Sequence, residues 1–306
     1  MKKGLVYRST GSWYTVESDG SFYSCRIKGK LRLKGIKSTN PIAVGDRVTF
    51  EVDILASEPQ GTIVDIEERQ NYIVRKSVNL SKQTHIIASN IDQVFLLITL
   101  CNPRTSTSFI DRFLVTAEAY QIPSILIFNK IDTYTSEQEQ EVDYLAALYA
   151  KIGYKTLKIS ATKRLNITKI ESMMENKLSM IFGHSGVGKS TLINTIAPNL
   201  NLKTSDISYH HQQGIHTTTF SEIFALPRGI KLIDTPGIKG FGVVDMHAGE
   251  IGNYFPEFLS LKSECKFYNC LHQREPQCAV INAFEEGNIA ESRYKSYLQM
   301  LQNDII

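Results

Sequence analysis

The segment that decides the fold is Gly183-His184-Ser185-Gly186-Val187-Gly188-Lys189-Ser190, which fits the pattern G-x-x-x-x-G-K-[ST]. It lies between an apolar run typical of a strand and a pattern typical of a helix. The glycines let backbone N–H groups close around phosphate oxygens, the lysine reaches the terminal phosphates, and the serine hydroxyl can ligate Mg²⁺. An accidental glycine-rich turn is the alternative. The residues expected to contact a nucleotide here are Gly183, Ser185, Gly186, Val187, Gly188, Lys189, Ser190 and Thr191, and Lys189 is also assigned to catalysis.

A second motif, Asp234-Thr235-Pro236-Gly237, directly follows the apolar run 230–233. A carboxylate at the end of a buried strand can reach the magnesium shell, and a glycine N–H can contact a γ-phosphate. Alone, the tetrapeptide is equally typical of a turn that ends a strand. Because a phosphate loop precedes it, we expect Asp234 and Gly237 to contact the nucleotide.

A third motif, Asn129-Lys130-Ile131-Asp132, follows the predicted strand 124–128. Asp132 can accept hydrogen bonds from both N1–H and the exocyclic amine of guanine, and adenine offers no such pair of donors. Ser160-Ala161, at the end of the next predicted strand, would add a backbone N–H to the guanine oxygen. Ordinary loops between strands and helices are the alternative for both, so the prediction of GTP over ATP depends on their combination with the phosphate loop.

The pattern around these motifs alternates between strands and helices from about residue 91 onward. The predicted order is strand 91–99, helix 109–120, strand 124–128, helix 136–152, strand 156–160, strand 179–182 and helix 189–196. Such alternation predicts right-handed βαβ units on a parallel sheet. Strands are also expected at 220–226 and 230–233.

The N-terminal part has a different pattern, with five short β-rich runs between residues 4 and 67 separated by turn residues. That spacing predicts a small barrel, of which the OB-fold is one form. Basic residues occupy every second position from Arg26 to Lys34. In an extended strand they would present cations on one face to an RNA backbone, although lysines that guard an edge strand are the alternative.

A cluster of metal-binding residue types lies near the C-terminus: Cys265, Cys270, His272 and Cys278. Three thiolates and one imidazole form a closed tetrahedral set, which is the pattern of structural rather than catalytic zinc. Reduced cysteines within a helical core are the alternative. The odd total of five cysteines also favours a metal over disulfides.

Composition limits the remaining classes of protein. The chain has 306 residues, 42% of them hydrophobic, and a formal net charge of +3, which excludes a disordered chain and a single small domain. No apolar run approaches the ~18 residues of a membrane span, and no apolar core of a secretory signal follows the first residues. We therefore expect a cytoplasmic protein that does not bind membranes.

The order of the motifs resembles one family of GTPases. In most GTPases the phosphate loop comes first, whereas here the guanine-reading elements precede it, so the order is circularly permuted. An N-terminal OB-fold, a permuted G domain and a C-terminal Cys₃His zinc site together resemble the RsgA family, also called YjeQ or YloQ. The segment Gly214-Ile215-His216-Thr217-Thr218-Thr219 is similar to that family's Gly-x-His-Thr-Thr-Thr. The resemblance implies GTP hydrolysis stimulated by the 30S ribosomal subunit, a role in late 30S maturation, contact with 16S rRNA, and a monomer that binds GTP and GDP.

Two residues of the first switch receive expected roles. A Ras-like GTPase has a water-orienting glutamine after the Asp-x-x-Gly turn, whereas this chain has Ile238 there. His216 is the candidate that the resemblance supports, and a water held by the backbone or by the ribosome is the alternative. Thr218 is expected to ligate Mg²⁺ together with Ser190, in preference to Thr217.

The predicted organisation is therefore multidomain. It comprises an OB-fold domain at 1–70, a circularly permuted α/β P-loop GTPase domain at 71–240, and a mainly α-helical zinc-binding domain at 241–306. A GTP-dependent RNA-binding regulator with no ribosomal partner is the second hypothesis. A small-molecule kinase is a third, and Asn129 to Asp132 argue against it.

Overall fold

The computed structural model describes residues 1–27, 41–53, 58–76, 84–200, 221–234 and 246–302. The strands in these ranges are β1 (Lys2–Ser9), β2 (Tyr14–Ser18), β3 (Ser21–Ile27), β4 (Arg47–Asp53), β5 (Gln60–Ile66), β6 (Tyr72–Lys76), β7 (Thr84–Ser89), β8 (Gln93–Ile98), β9 (Ser124–Phe128), β10 (Lys155–Lys158), β11 (Leu178–Phe182), β12 (Glu222–Ala225) and β13 (Lys231–Asp234). The α-helices are α1 (Thr107–Ala119), α2 (Ser136–Ile152), α3 (Ile167–Met174), α4 (Lys189–Ile196), α5 (Ala248–Ile251), α6 (Pro256–Leu259), α7 (Ala279–Glu285) and α8 (Glu291–Gln302).

Strands β1 to β5 form the predicted N-terminal barrel. The pairing runs β1–β2–β3–β5–β4 and returns from β4 to β1, with only β3 and β5 parallel, so the sheet closes on itself. Alternate residues point inward because successive side chains of a strand face opposite sides of the sheet. The inward-facing strand residues and Ile42, which precedes β4, form an apolar core of Val6, Tyr14, Val16, Cys25, Ile42, Val48, Phe50 and Ile63. The prediction of a five-stranded barrel is confirmed.

The chain divides into two compact units, and the barrel belongs to the first, which comprises residues 1–93, 169–181 and 206–239. In this unit β13 pairs in parallel with β11 and antiparallel with β12, and β12 in turn meets β1 through Arg8 and Glu222. A two-stranded ribbon of β6 and β7 also lies here. This ribbon was not predicted from the sequence pattern.

The second unit comprises residues 94–168, 182–205 and 240–306. Its strands β8, β9 and β10 are parallel, and every residue of β8 is buried. Helix α1 begins at Ser106, whose hydroxyl accepts a hydrogen bond from the Phe109 N–H. Helix α2 begins with a capping box of Thr135 and Gln138, an arrangement that satisfies two N–H groups left free at a helix start. Loops at the carboxyl ends of these strands position the site described below.

Helices α5 to α8 form the C-terminal part of the same unit. Arg293 of α8 is fully buried and donates hydrogen bonds to Asp111 Oδ1 of α1 at 2.8 Å and to Glu257 Oε1 at 2.7 Å. The Tyr149 hydroxyl donates to the same Asp111 oxygen at 2.8 Å. Phe255 packs against the guanidinium, 4.4 Å from its ring centroid. This buried network connects the helical C-terminal region to α1.

We predict that Arg293→Ala destabilises this unit by about 3–5 kcal/mol, because the change leaves buried carboxylates without their cation. Thermal unfolding followed by circular dichroism measures the effect. The matched control is Lys295→Ala on the same helix, since Lys295 forms an exposed ion pair with Glu291. A similar midpoint for the two variants would contradict the importance of the buried network.

Candidate nucleotide-binding site

The loop between β11 and α4 has a backbone that only its glycines can adopt. Gly183, Gly186 and Gly188 have φ of 147°, 83° and 97°, values that residues with a Cβ rarely reach. A Cβ on Gly188 would also lie 2.4 Å from Asn129 Nδ2. The spacing of glycines in the motif therefore reflects the geometry of this loop.

Two side chains of the Asn129-Lys130 segment hold consecutive carbonyls of the loop. Lys130 Nζ donates to the Gly186 carbonyl at 2.7 Å, and Asn129 Nδ2 donates to the Val187 carbonyl at 2.9 Å. In a planar trans peptide, the N–H of the next residue points away from the carbonyl oxygen. Because the carbonyls of Gly186 and Val187 point toward Asn129 and Lys130, the N–H groups of Val187 and Gly188 point to the opposite side of the loop. Backbone N–H groups arranged in this way can form an anion-binding nest.

Lys189 lies across the loop at the start of α4. Its Nζ donates to the carbonyls of Gly183 and His184, each at 2.7 Å. Burial lowers the pKa of Lys189. Ser190 is buried, with 7% of its surface exposed, and Thr191 follows it in the first turn of the helix.

Asn129 also connects the loop to the third predicted motif. Its Oδ1 accepts a hydrogen bond from the Ala161 N–H at 3.1 Å. The Ala161 N–H that was expected to face guanine is therefore bonded to Asn129 in this structure. Ser160 Oγ accepts from the Lys163 N–H at 3.0 Å and shapes the same turn. One asparagine thus joins three segments that are far apart in sequence.

Asp132, the last residue of the third motif, is exposed to solvent. Its Oδ2 accepts a weak hydrogen bond from Thr162 Oγ1 at 3.4 Å. Lys130, two residues before it, has a left-handed φ of 64°. The carboxylate is accordingly accessible to a base with two adjacent donors.

Several other residues predicted to belong to the site lie outside the residues that the structure describes. His216, Thr218 and Gly237 fall beyond the described residues, as does the basic run from Lys28 to Lys34. Asp234 is the last residue of β13, where its backbone pairs with Glu222.

Sequence reasoning missed a contact at the phosphate loop. Thr105, in the segment after β8, lies with its Oγ1 2.7 Å from His184 Nε2. Nearby, the Asn102 carbonyl accepts from Lys130 Nζ at 2.6 Å. The place of Thr105 shortly after a predicted strand was the available signal, because loops at the carboxyl ends of parallel strands meet at one edge of a sheet.

The four predicted zinc ligands form a compact cluster. The ligand atoms of Cys265, Cys270, His272 and Cys278 all lie within 4.8 Å of one another. Cys265 Sγ is 3.9 Å from Cys278 Sγ, and His272 Nδ1 is 3.3 Å from Cys278 Sγ. Tetrahedral zinc with Zn–S bonds of ~2.3 Å separates its sulfur ligands by about 3.8 Å. The donor set and its spacing therefore fit a tetrahedral metal ion.

Hydrogen bonds hold the backbone of this cluster from the outside. The Tyr294 hydroxyl donates to the His272 carbonyl at 2.8 Å, and the Tyr297 hydroxyl donates to the Leu271 carbonyl at 2.6 Å. The Glu275 carboxylate accepts from the N–H groups of Leu271 and Gln273 at 2.8 and 2.7 Å. Although burial raises the pKa of Glu275, these backbone donors outweigh it and hold the pKa below its ordinary value.

The glycine-rich loop, the guanine-type motif that precedes it in the chain, the five-stranded barrel and the Cys₃His cluster define a circularly permuted P-loop GTPase. Family models match in the same order, with the RsgA N-terminal domain over residues 3–63 and the RsgA GTPase over residues 66–244. The chain belongs to the RsgA GTPase family. Family membership confirms the predicted class of reaction, which is GTP hydrolysis.

Individual relatives agree over nearly the full length. Proteins named small ribosomal subunit biogenesis GTPase RsgA from Christiangramia forsetii and Flavobacterium johnsoniae are 63% and 62% identical, covering 99% and 98% of this chain and 96% and 93% of those proteins. The crystal structure of YjeQ from Thermotoga maritima superposes with a TM-score of 0.81 at 33% identity, covering 98% of this chain and 97% of that one. YloQ, described as a circularly permuted GTPase, gives 0.78 at 28% identity, covering 99% and 95%.

Within the described residues, no helix has the length and apolar character needed to cross a membrane.

Proposed function

We propose that this chain is a GTP-driven switch that acts on the 30S ribosomal subunit during its late maturation. The observation that carries the proposal is the bridge made by Asn129, which connects the phosphate loop to the guanine-type motif. High identity to relatives named small ribosomal subunit biogenesis GTPase supports the choice of partner. The alternative is a GTP-dependent RNA-binding regulator with no ribosome-specific role. It would use the same nucleotide-binding site but would not act on the 30S subunit.

In the proposed reaction, different residues of the site contact the guanine base and the phosphates. Asp132 accepts from guanine, while the loop amides and Lys189 hold the phosphates and stabilise charge that grows during transfer. Mg²⁺, held by Ser190 and Thr218, would neutralise phosphate oxygens when bound. Asp234 and Gly237 are assigned to the magnesium shell and the γ-phosphate.

His216 is our candidate for positioning the attacking water. Ile238 cannot orient water through a polar side chain, so another group must supply that contact. A ribosomal group or a backbone-held water is the competing assignment. His216→Ala turnover measured on the subunit separates them, since a ribosome-supplied group predicts parental turnover.

For the Cys₃His cluster we propose zinc in a structural role. All four positions of a tetrahedral ion are supplied by protein, which leaves no site for a reacting water. We also propose that the protein is a cytoplasmic monomer that does not bind membranes.

The barrel is the proposed contact with 16S rRNA. Arg26 stacks on Trp13, with its guanidinium carbon 3.8 Å from the ring centroid, and Phe22 is half exposed. Stacked aromatic and guanidinium groups suit unpaired bases, and the adjoining basic run suits phosphates.

GTP turnover with and without purified 30S subunits tests the proposal. We expect at least about tenfold stimulation, equivalent to ~1.4 kcal/mol of transition-state stabilisation. Purified 50S subunits and protein-free 16S rRNA are the controls. Equal stimulation by all three would favour the RNA-binding regulator, and unchanged turnover with 30S subunits would refute the ribosomal partner.

A further inference from the structure

His184, the second residue of the phosphate-loop motif, has a hydrogen-bond partner on each side of its ring. Thr105 Oγ1 lies 2.7 Å from Nε2, and the Ser185 carbonyl lies 3.3 Å from Nδ1. Thr105 is buried, with 3% of its surface exposed. The Phe109 ring packs edge-on against the imidazole, with centroids 5.4 Å apart.

The contacts of Thr105 favour one direction for this chain of hydrogen bonds. The Thr99 N–H donates to Thr105 Oγ1 at 3.1 Å, which uses one of the two acceptor sites of the hydroxyl and leaves its proton for an acceptor. We infer that the hydroxyl donates this proton to His184 Nε2, 2.7 Å away. Nε2 then acts as an acceptor, and the ring carries its proton on Nδ1, where it donates to the Ser185 carbonyl. Burial lowers the pKa of His184, which favours the neutral ring that this arrangement needs.

The Ser185 carbonyl is the third of five consecutive loop carbonyls that side chains hold. Lys189 holds those of Gly183 and His184. His184 holds that of Ser185, Lys130 that of Gly186, and Asn129 that of Val187. By the peptide geometry given above, fixing the Ser185 carbonyl also fixes the direction of the Gly186 N–H. A loop that is already arranged for an anion loses less entropy when it binds one.

We propose that Thr105 and His184 are positioning residues for the phosphate loop, which orient the Ser185–Gly186 peptide so that the loop amides converge on the β-phosphate of GDP or GTP. Lys130 and Asn129 position the next two peptides from the guanine side of the site. The Thr105–His184 pair does the same from the segment after β8. The proposal concerns nucleotide binding by the isolated protein and is independent of any ribosomal partner.

Calorimetric titration with GDP and with GMP tests the proposal. Thr105→Val removes the hydroxyl at nearly constant volume and is expected to weaken GDP binding about fivefold, the equivalent of one net hydrogen bond. GMP lacks the β-phosphate, so its affinity should stay at the parental value. Thr105→Ser keeps the hydroxyl and should restore GDP binding. Thr116→Val, which removes another buried hydroxyl whose hydrogen bond goes to the Arg112 carbonyl within α1, should leave both affinities unchanged.

If Thr105→Val folds poorly, a second variant and a spectroscopic measurement test the same proposal. His184→Phe should weaken GDP binding to the same extent, and the double variant should show no further loss because both changes break the Thr105–His184 hydrogen bond through which the loop is positioned. In the parental protein, ¹⁵N shifts of the His184 ring should report a proton on Nδ1, and Thr105→Val should abolish that preference. Parental GDP affinity in both single variants, or an equal loss for GMP, would overturn the proposal.

Discussion

Asp132→Asn is expected to shift the preference of the site from guanine to xanthine nucleotides. The carboxylate of Asp132 is exposed, and within the described residues its hydrogen bond from Thr162 Oγ1 is long, at 3.4 Å. It is therefore available to accept from two guanine donors. An asparagine can accept from only one of them and presents a donor to the other, whereas it can donate to the 2-oxo group of xanthine. Loss of a charge-assisted bond costs ~1.5–3 kcal/mol, so GTP affinity should fall by roughly a hundredfold.

Competitive titration with GDP and XDP measures this change. Asp143→Asn serves as a control because Asp143 is another exposed carboxylate, on α2, whose partner is Lys158. It should leave the preference for guanine intact. Retained GDP affinity in Asp132→Asn, with no gain for XDP, would show that another group reads the base.

The sequence predicted the parts of the fold that depend on local patterns. Helix α2 and strand β9 coincide with the predicted ranges 136–152 and 124–128. Strand β9 is a short, continuous apolar run. Helix α2 lies between clear end signals, because Thr135 caps it at its start and Gly153 ends it in a left-handed conformation. The spacing of the glycines in the phosphate loop was equally informative, because the loop needs backbone angles that residues with a Cβ rarely adopt.

Contacts between distant parts of the chain could not be predicted in this way. Arg293 pairs with Asp111 across 182 positions, and no pattern around either residue indicates that partnership. The contact between Thr105 and His184 was unpredictable for the same reason, since nothing in the sequence around Thr105 indicates that the fold brings it next to His184. The β6–β7 ribbon was also missed, and here the strands are short and depend on pairing with each other.

Removal of the metal is expected to unfold the C-terminal helices while leaving nucleotide binding in place. Three sulfurs and an imidazole nitrogen occupy one small volume there, and burial raises the pKa of the Cys270 and Cys278 thiols. A divalent cation stabilises the thiolates in that volume, so binding and folding are coupled. In zinc-finger peptides the coupling reaches ~10–16 kcal/mol.

We therefore expect about one zinc per chain in protein purified without chelators, and Cys270→Ser to lose most of it. Hydrogen exchange should accelerate across 246–302 in that variant, and GDP titration should stay near the parental value because the phosphate loop contacts none of these ligands. Cys25→Ala is the matched control, since it removes a buried thiol of the barrel core and should retain the metal. Parental exchange rates in metal-free protein would show that the helices hold the cysteines together by packing alone.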